Sequence, residues 1–145
     1  MSTETIELST VIAAEPDDAY AAWMTAKRHA AFTGAAAAVE ARAGARHAAW
    51  GGYIHGWVLK AGPGRRATFA WRTTDFTPAD PDSLVELSMT RAKGGTLVKI
   101  THRDVPAGQG ARYMQGWEEY YFEPLARYFA ASKPKKKTAA KKRAP

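Results

Sequence analysis

From residue 46 to residue 103 apolar and polar residues alternate, and the alternation is broken at intervals by Gly51-Gly52, Gly62-Pro63-Gly64, Pro78 to Pro81 and Gly94-Gly95. Period-two patterning between such turn signals predicts strand after strand. Tyr53, His55, Trp57 and Leu59 share one parity, as do Phe69, Trp71 and Thr73, then Val85, Leu87 and Met89, then Val98, Ile100 and His102. Connections this short make neighbouring strands antiparallel, and an antiparallel sheet commonly has one dry face and one wet one. One whole face of the sheet therefore needs a cover.

The only long helical pattern available to cover it is 108–131. Met114, Trp117, Tyr121, Leu125 and Tyr128 recur at spacings of three or four residues, one continuous stripe. Pro124 lies inside the pattern, where a missing N–H and a ring clash cost about 3 kcal/mol unless packing compensates, so a bend is predicted there. Ahead of the sheet, Ile6, Leu8, Thr10 and Ile12 alternate with polar residues as a strand over 5–13. Pro16, Asp17 and Asp18 then open a short helix carrying Tyr20, Trp23 and Met24, and a second is expected over 26–32 before Gly34. The Ala-rich stretch 35–45 is read as strand. The order is strand, two short helices, about six strands and a long helix: an α+β domain with no internal repeat.

A chain of 145 residues, 46% of them hydrophobic, is long enough for one domain with a real core. It has no Cys, which excludes disulfides, thiolate zinc sites and Cys nucleophiles. No apolar run reaches the ~18 residues of a membrane span, and Glu4 and Glu7 stand where a signal peptide would be basic and then apolar, so a cytoplasmic location is expected. Residues 133–145 hold Lys133, Lys135, Lys136, Lys137, Lys141, Lys142 and Arg143, seven of the 21 cations, and no acid. Removing them leaves 14 basic against 14 acidic residues, so the body, residues 1–132, is neutral. The Lys/Ala/Pro-rich tail is expected to be disordered and to offer non-specific, salt-sensitive contact to nucleic acid or another polyanion. The alternative is a solubilising appendage, since no recognition helix or stacking platform accompanies it.

If the parities hold, Tyr53, Trp57, Phe69, Trp71, Tyr113, Trp117 and Tyr121 converge between sheet and helix, with Val85, Leu87, Met89, Val98 and Ile100 behind them. Such rings either wall a small-molecule pocket or fill a solid core. His55 and His102 fall on the inward parity, as polar handles for a ligand or as buried histidines bonded to their surroundings. Arg72 and Asp75 are placed to pair at the mouth. Histidines 29, 47, 55 and 102 show no metal-ligand spacing, so no metal or other cofactor is expected. Glu118 and Glu119 point about 100° apart on a helix and cannot work as a pair. No nucleophile elbow or phosphate loop is present, so no catalytic constellation is visible.

Trp71-Arg72-Thr73-Thr74-Asp75-Phe76, Gly95-Thr96-Leu97-Val98 leading to Thr101-His102, Val105-Pro106, and Gly116-Trp117-Glu118-Glu119-Tyr120-Tyr121-Phe122-Glu123-Pro124-Leu125 carry a resemblance. The chain resembles the bacterial AHSA-type proteins named after the activator of the heat-shock-chaperone ATPase, within the SRPBCC group of START-like and Bet v-like proteins. The resemblance spans roughly residues 5–130. It implies a helix-grip fold, a curved seven-stranded antiparallel sheet wrapped around a C-terminal helix, often with a cavity between them. It does not imply one reaction, because the fold hosts many functions. The eukaryotic activator is expected to act largely through an additional N-terminal domain that these residues do not contain. The leading expectation is a non-enzymatic module binding an apolar or amphipathic small molecule between sheet and helix. The alternative is a chaperone-associated interaction domain.

Overall fold

A computed structural model describes residues 2–62 and 65–132. β1 (Thr3–Ile12) leads through Pro16, the first residue of α1 (Pro16–Met24), into α2 (Ala26–Thr33). Gly34 ends α2 in the left-handed conformation, its N–H bonded to the Ala30 carbonyl at 2.8 Å, the usual glycine stop. Then come β2 (Ala37–Ala38), β3 (Arg46–Ala49), a single 3-10 turn (Trp50–Gly52), β4 (Ile54–Gly62), β5 (Arg66–Thr73), β6 (Ser83–Ala92) and β7 (Gly95–Pro106). The strands form one antiparallel sheet in the order β1-β7-β6-β5-β4-β3-β2. The C-terminal helix comprises α3 (Gly110–Trp117), a π-helical turn over Glu118–Phe122 and α4 (Glu123–Ser132). This is the α+β helix-grip architecture, seven strands against one long helix with two short helices after the first strand. No helix among the described residues is long and apolar enough to cross a membrane.

Phe69, Trp71 and Thr73, Val85, Leu87 and Met89, and Val98, Ile100 and His102 are all buried, as their parity predicts. In β4 the parity is reversed. Ile54, Gly56 and Val58 face the core, while Trp57 and Leu59 are 42% and 45% exposed. Register explains the inversion, because Gly56 lies opposite Trp71 and Val58 opposite Phe69. The inner row of β4 meets the large rings of β5 with aliphatic groups and a glycine. A Cβ at Gly56 would collide with the Ala70 carbonyl and His47 Nε2. Leu59 occupies a bulge between the pairs Val58↔Phe69 and Lys60↔Thr68. The stretch 35–45 also departs from expectation: only Ala37–Ala38 form a strand, since alanines give a strand little to pack with, and Gly44 and Ala45 bond Val58 just before β3 begins. Residues 133–145, where the basic tail was expected, lie outside the described residues.

Just before Pro124, where a bend was expected, the helix makes a π turn. The Glu123 N–H bonds five residues back, to the Glu118 carbonyl, and the wider turn accommodates a residue that cannot bond four residues back. Tyr113 and Trp117 before the turn and Tyr121, Phe122, Leu125 and Phe129 in and after it are buried, whereas Met114, on the edge of the α3 face, is 38% exposed. At its start the helix is tied to the opposite end of the chain. Glu4 on β1 accepts the Gly108 and Gly110 N–H groups at 2.8 and 2.7 Å, so a carboxylate closes the positive end of the helix. Gly110 makes this approach possible, because a Cβ there would collide with the carboxylate.

Glu4→Ala is expected to lower the unfolding free energy by about 1–2 kcal/mol, the usual loss for a removed helix cap. Urea denaturation followed by circular dichroism measures it, and an unchanged midpoint would contradict the capping role.

Candidate functional site

Between the β4–β5 end of the sheet and α3 lies an open pocket of about 220 Å³. Tyr53, Ile54 and Trp71 form its sheet side and Tyr113, Gly116, Trp117 and Tyr121 its helix side. Trp50 from the 3-10 turn and Tyr120 from the π turn complete it, their rings edge-on with centroids 5.4 Å apart. No lining residue is charged. A second recess of about 30 Å³ lies behind the shared partition of Ile54, Trp71, Trp117 and Tyr121, among Trp23, His29, His47 and Phe69.

Of the residues expected in the lining, Tyr53, Trp71, Tyr113, Trp117 and Tyr121 meet at the larger pocket, and Phe69 borders the smaller recess. Val85, Leu87, Met89, Val98 and Ile100 are buried in the sheet's inner face and border neither space. Trp57 and His55 are corrections. Trp57 lies on the outer face with the Arg46 guanidinium 4.5 Å over its ring. His55 bonds the Gly52 carbonyl at 3.2 Å on the exposed side. The β4 inversion moves both. Trp50, Ile54, Gly116 and Tyr120 were missed, and the legible signals were a tryptophan before two glycines and a glycine inside an apolar helix.

His102 is fully buried, and its surroundings assign its tautomer. The Trp117 indole donates to Nδ1 at 3.2 Å, so the proton sits on Nε2, which donates to Ser83 Oγ at 2.9 Å. The Ser83 hydroxyl donates to the Trp71 carbonyl at 2.7 Å. Both ring nitrogens are therefore committed to the protein, and His102 positions Trp117 rather than a ligand. Burial pushes its pKa down to about 3. His29 is arranged alike: Nδ1 lies 2.8 Å from the Trp23 carbonyl and Nε2 3.2 Å from the Tyr121 hydroxyl. Burial pushes it down to about 4, against the Trp23 hydrogen bond.

A closed ring of hydrogen bonds clamps the turn after β5 to α3. The Asp75 N–H donates to Thr73 Oγ1 at 3.1 Å, and Thr73 Oγ1 lies 2.7 Å from the Tyr113 hydroxyl. That hydroxyl donates to Gln109 Oε1 at 2.5 Å, and Gln109 Nε2 donates back to the Asp75 carbonyl at 3.4 Å. Burial pushes Tyr113 up to about 12. The Asp75 carboxylate accepts from the Tyr53 hydroxyl at 2.6 Å and from Arg112 at 2.8 Å. Arg72 instead pairs with Asp82 at 2.7 Å, which corrects the expected Arg72–Asp75 pair. Every hydroxyl of this clamp is engaged, and among the described residues no group of His, Asp and Glu could hold a metal.

Trp50 stands apart from this satisfied setting. Its φ is +54°, and Gly51 and Gly52 follow at +68° and +96°. Its buried indole N–H lies near the Tyr121 hydroxyl without reaching hydrogen-bond geometry, the one such buried side-chain group among the described residues.

The model of the family described as Activator of Hsp90 ATPase homolog 1-like protein matches residues 13–130. The mouse activator of 90 kDa heat shock protein ATPase homolog 1 is 28% identical over 124 residues, and its human counterpart 27%. The aligned region is 86% of this chain and 36% of either relative, so the chain spans about a third of their length. An HSP90 activator from Plasmodium falciparum superposes with a TM-score of 0.79 at 20% identity, covering 89% of this chain and 97% of that one. CalU16 from Micromonospora echinospora superposes with a TM-score of 0.73 at 24% identity, covering 88% and 74%. These structural likenesses concern the fold.

His29 and His102 are neutral when folded, below the ordinary value of 6.5, so the unfolded chain binds more protons in acid. Their contribution is complete above pH 6.5 and is lost as pH falls toward 4 and 3, by about 1.4 kcal/mol per unit for each. Urea midpoints between pH 7 and pH 4.5 are expected to fall accordingly, with both imidazoles still neutral by NMR at pH 5.5. A ring already protonated at that pH would contradict the burial argument.

Proposed function

The chain belongs to the Activator of Hsp90 ATPase homolog 1-like family, and from that premise we propose that it has no catalytic activity of its own and engages an ATP-driven heat-shock chaperone of the Hsp90 kind. The family match over residues 13–130 carries this reading. The surface is compatible with it. Trp57 and Leu59 stand half out of the outer face, and Arg46, over the Trp57 ring, and Lys60, next to Leu59 in the chain, are in no ion pair among the described residues. A partner that brings carboxylates next to an apolar side chain fits such a face.

Purified chain is expected to co-purify with an Hsp90-type chaperone and to raise its rate of ATP hydrolysis, and Trp57→Ala to weaken both while leaving the melting temperature unchanged. The absence of both capture and a rate change at every ratio would sink this reading. The basic tail adds an electrostatic contact in the same proposal: deleting 133–145 should abolish DNA retardation at low salt and leave folding intact.

A second reading is favoured by the ring-walled space of about 220 Å³, which supports the holding of an apolar or amphipathic small molecule between sheet and helix. Melting temperature and tryptophan fluorescence across a panel of lipids and neutral metabolites test it. At least one compound is expected to shift both, and silence across the panel would leave the chaperone reading alone.

A further inference from the structure

Resting on the small-molecule reading, we infer that the pocket takes a neutral, flat molecule of one or two fused rings and that Trp50 is the gate admitting it. Volume sets the size. An apolar cavity of about 150 Å³ accepts benzene, so about 220 Å³ has room for a second fused ring and not for a long lipid chain. Chemistry of the wall sets the class. Seven of the nine lining residues are aromatic, and ring faces favour offset or edge-on contact with another ring. With no charged side chain in the lining, an ionised ligand would lose its hydration and gain no counter-ion. Gly116 leaves the helix backbone bare at one side. A Cβ added there meets nothing closer than Tyr120 Cδ2 at 4.0 Å, so the glycine serves no packing need and a flat ring can lie against the helix.

The gate follows from three observations at one residue. A bulky side chain at φ +54° is strained. Its buried N–H lies near the Tyr121 hydroxyl but outside hydrogen-bond geometry, which is itself unfavourable. The two glycines after it, both at positive φ, let the turn rearrange without steric penalty. Turning Trp50 outward, with the turn rearranging at the two glycines, takes its N–H to water and widens the pocket's mouth beside Tyr120, which is 54% exposed and sits on the π turn.

The test uses the full chain with three probes: 2-naphthol, 2-naphthoate and n-octanol. By calorimetry, 2-naphthol is expected to bind one to one, at least about tenfold more tightly than either of the others. Gly116→Leu should abolish that binding without lowering the melting temperature, and Gly116→Ala should weaken it by a smaller factor. Trp50→Gly suits the left-handed backbone and removes the ring, and it should speed both association and release of 2-naphthol about tenfold in stopped-flow fluorescence. Trp50→Phe, which keeps a ring at the mouth, should stay near the parent rates. Tighter binding of 2-naphthoate or n-octanol would overturn the ligand class and leave the pocket reading standing. Unchanged rates in Trp50→Gly would overturn the gate. If no probe binds, the pocket reading itself fails and takes the inference with it.

Discussion

The indole of Trp117, held by its N–H on the buried nitrogen of His102, fixes how the C-terminal helix sits on the sheet. His102 is fully enclosed in β7 and bonded through Ser83 to the Trp71 carbonyl, so the helix reads three strands at once. A charged imidazole cannot serve there, because one nitrogen must accept from Trp117 while the other donates. Burial enforces the neutral state by penalising the ion. Trp71 and Trp117 then lie 5.6 Å apart, and Trp117 and Tyr121 4.9 Å apart, so the pocket wall is set by the same contact that seats the helix.

Around that anchor the molecule divides into satisfied and unsatisfied parts. Glu4 closes the start of α3, and the Asp75–Thr73–Tyr113–Gln109 ring locks its first turn to the sheet. Trp23 stacks on Tyr121 at 4.9 Å and carries α1 onto the other side of the helix. Among the described residues Arg65 and Asp104 share the positive φ of Trp50, but only Trp50, on the pocket's edge, combines it with an unmade buried hydrogen bond. Where, among the described residues, one buried side-chain donor is left unsatisfied and it stands at an opening, the capacity to change is concentrated at that point.

How much was legible depended on the kind of signal. The rows Phe69-Trp71-Thr73, Val85-Leu87-Met89 and Val98-Ile100-His102 were readable because each has one apolar parity and one polar parity. β4 has two competing parities, and the heavier one, with Trp57 and Leu59, faces water. Which row turns inward goes with the register against β5, where Gly56 lies opposite Trp71 and Val58 opposite Phe69, neighbours in space rather than in sequence. Likewise the helical stripe was visible, but its edge at Met114 faces water, and beyond the π turn the buried face takes in Phe122 and Phe129. Glu4, more than a hundred residues from the amides it caps, carried no local signal at all.

By itself the amino-acid order determined the element types, the antiparallel sheet, the covering helix and the concentration of aromatic residues, because local periodicity and turn chemistry act within a few residues of each other. Only the tertiary structure decided which of those rings line a space, that His102 is a positioning group, and that Trp50 and Tyr120 stand at the opening. Those outcomes depend on cross-strand register and on the helix's rotation, and both are settled by side-chain volumes meeting across the core, long after each segment's own pattern has been spent.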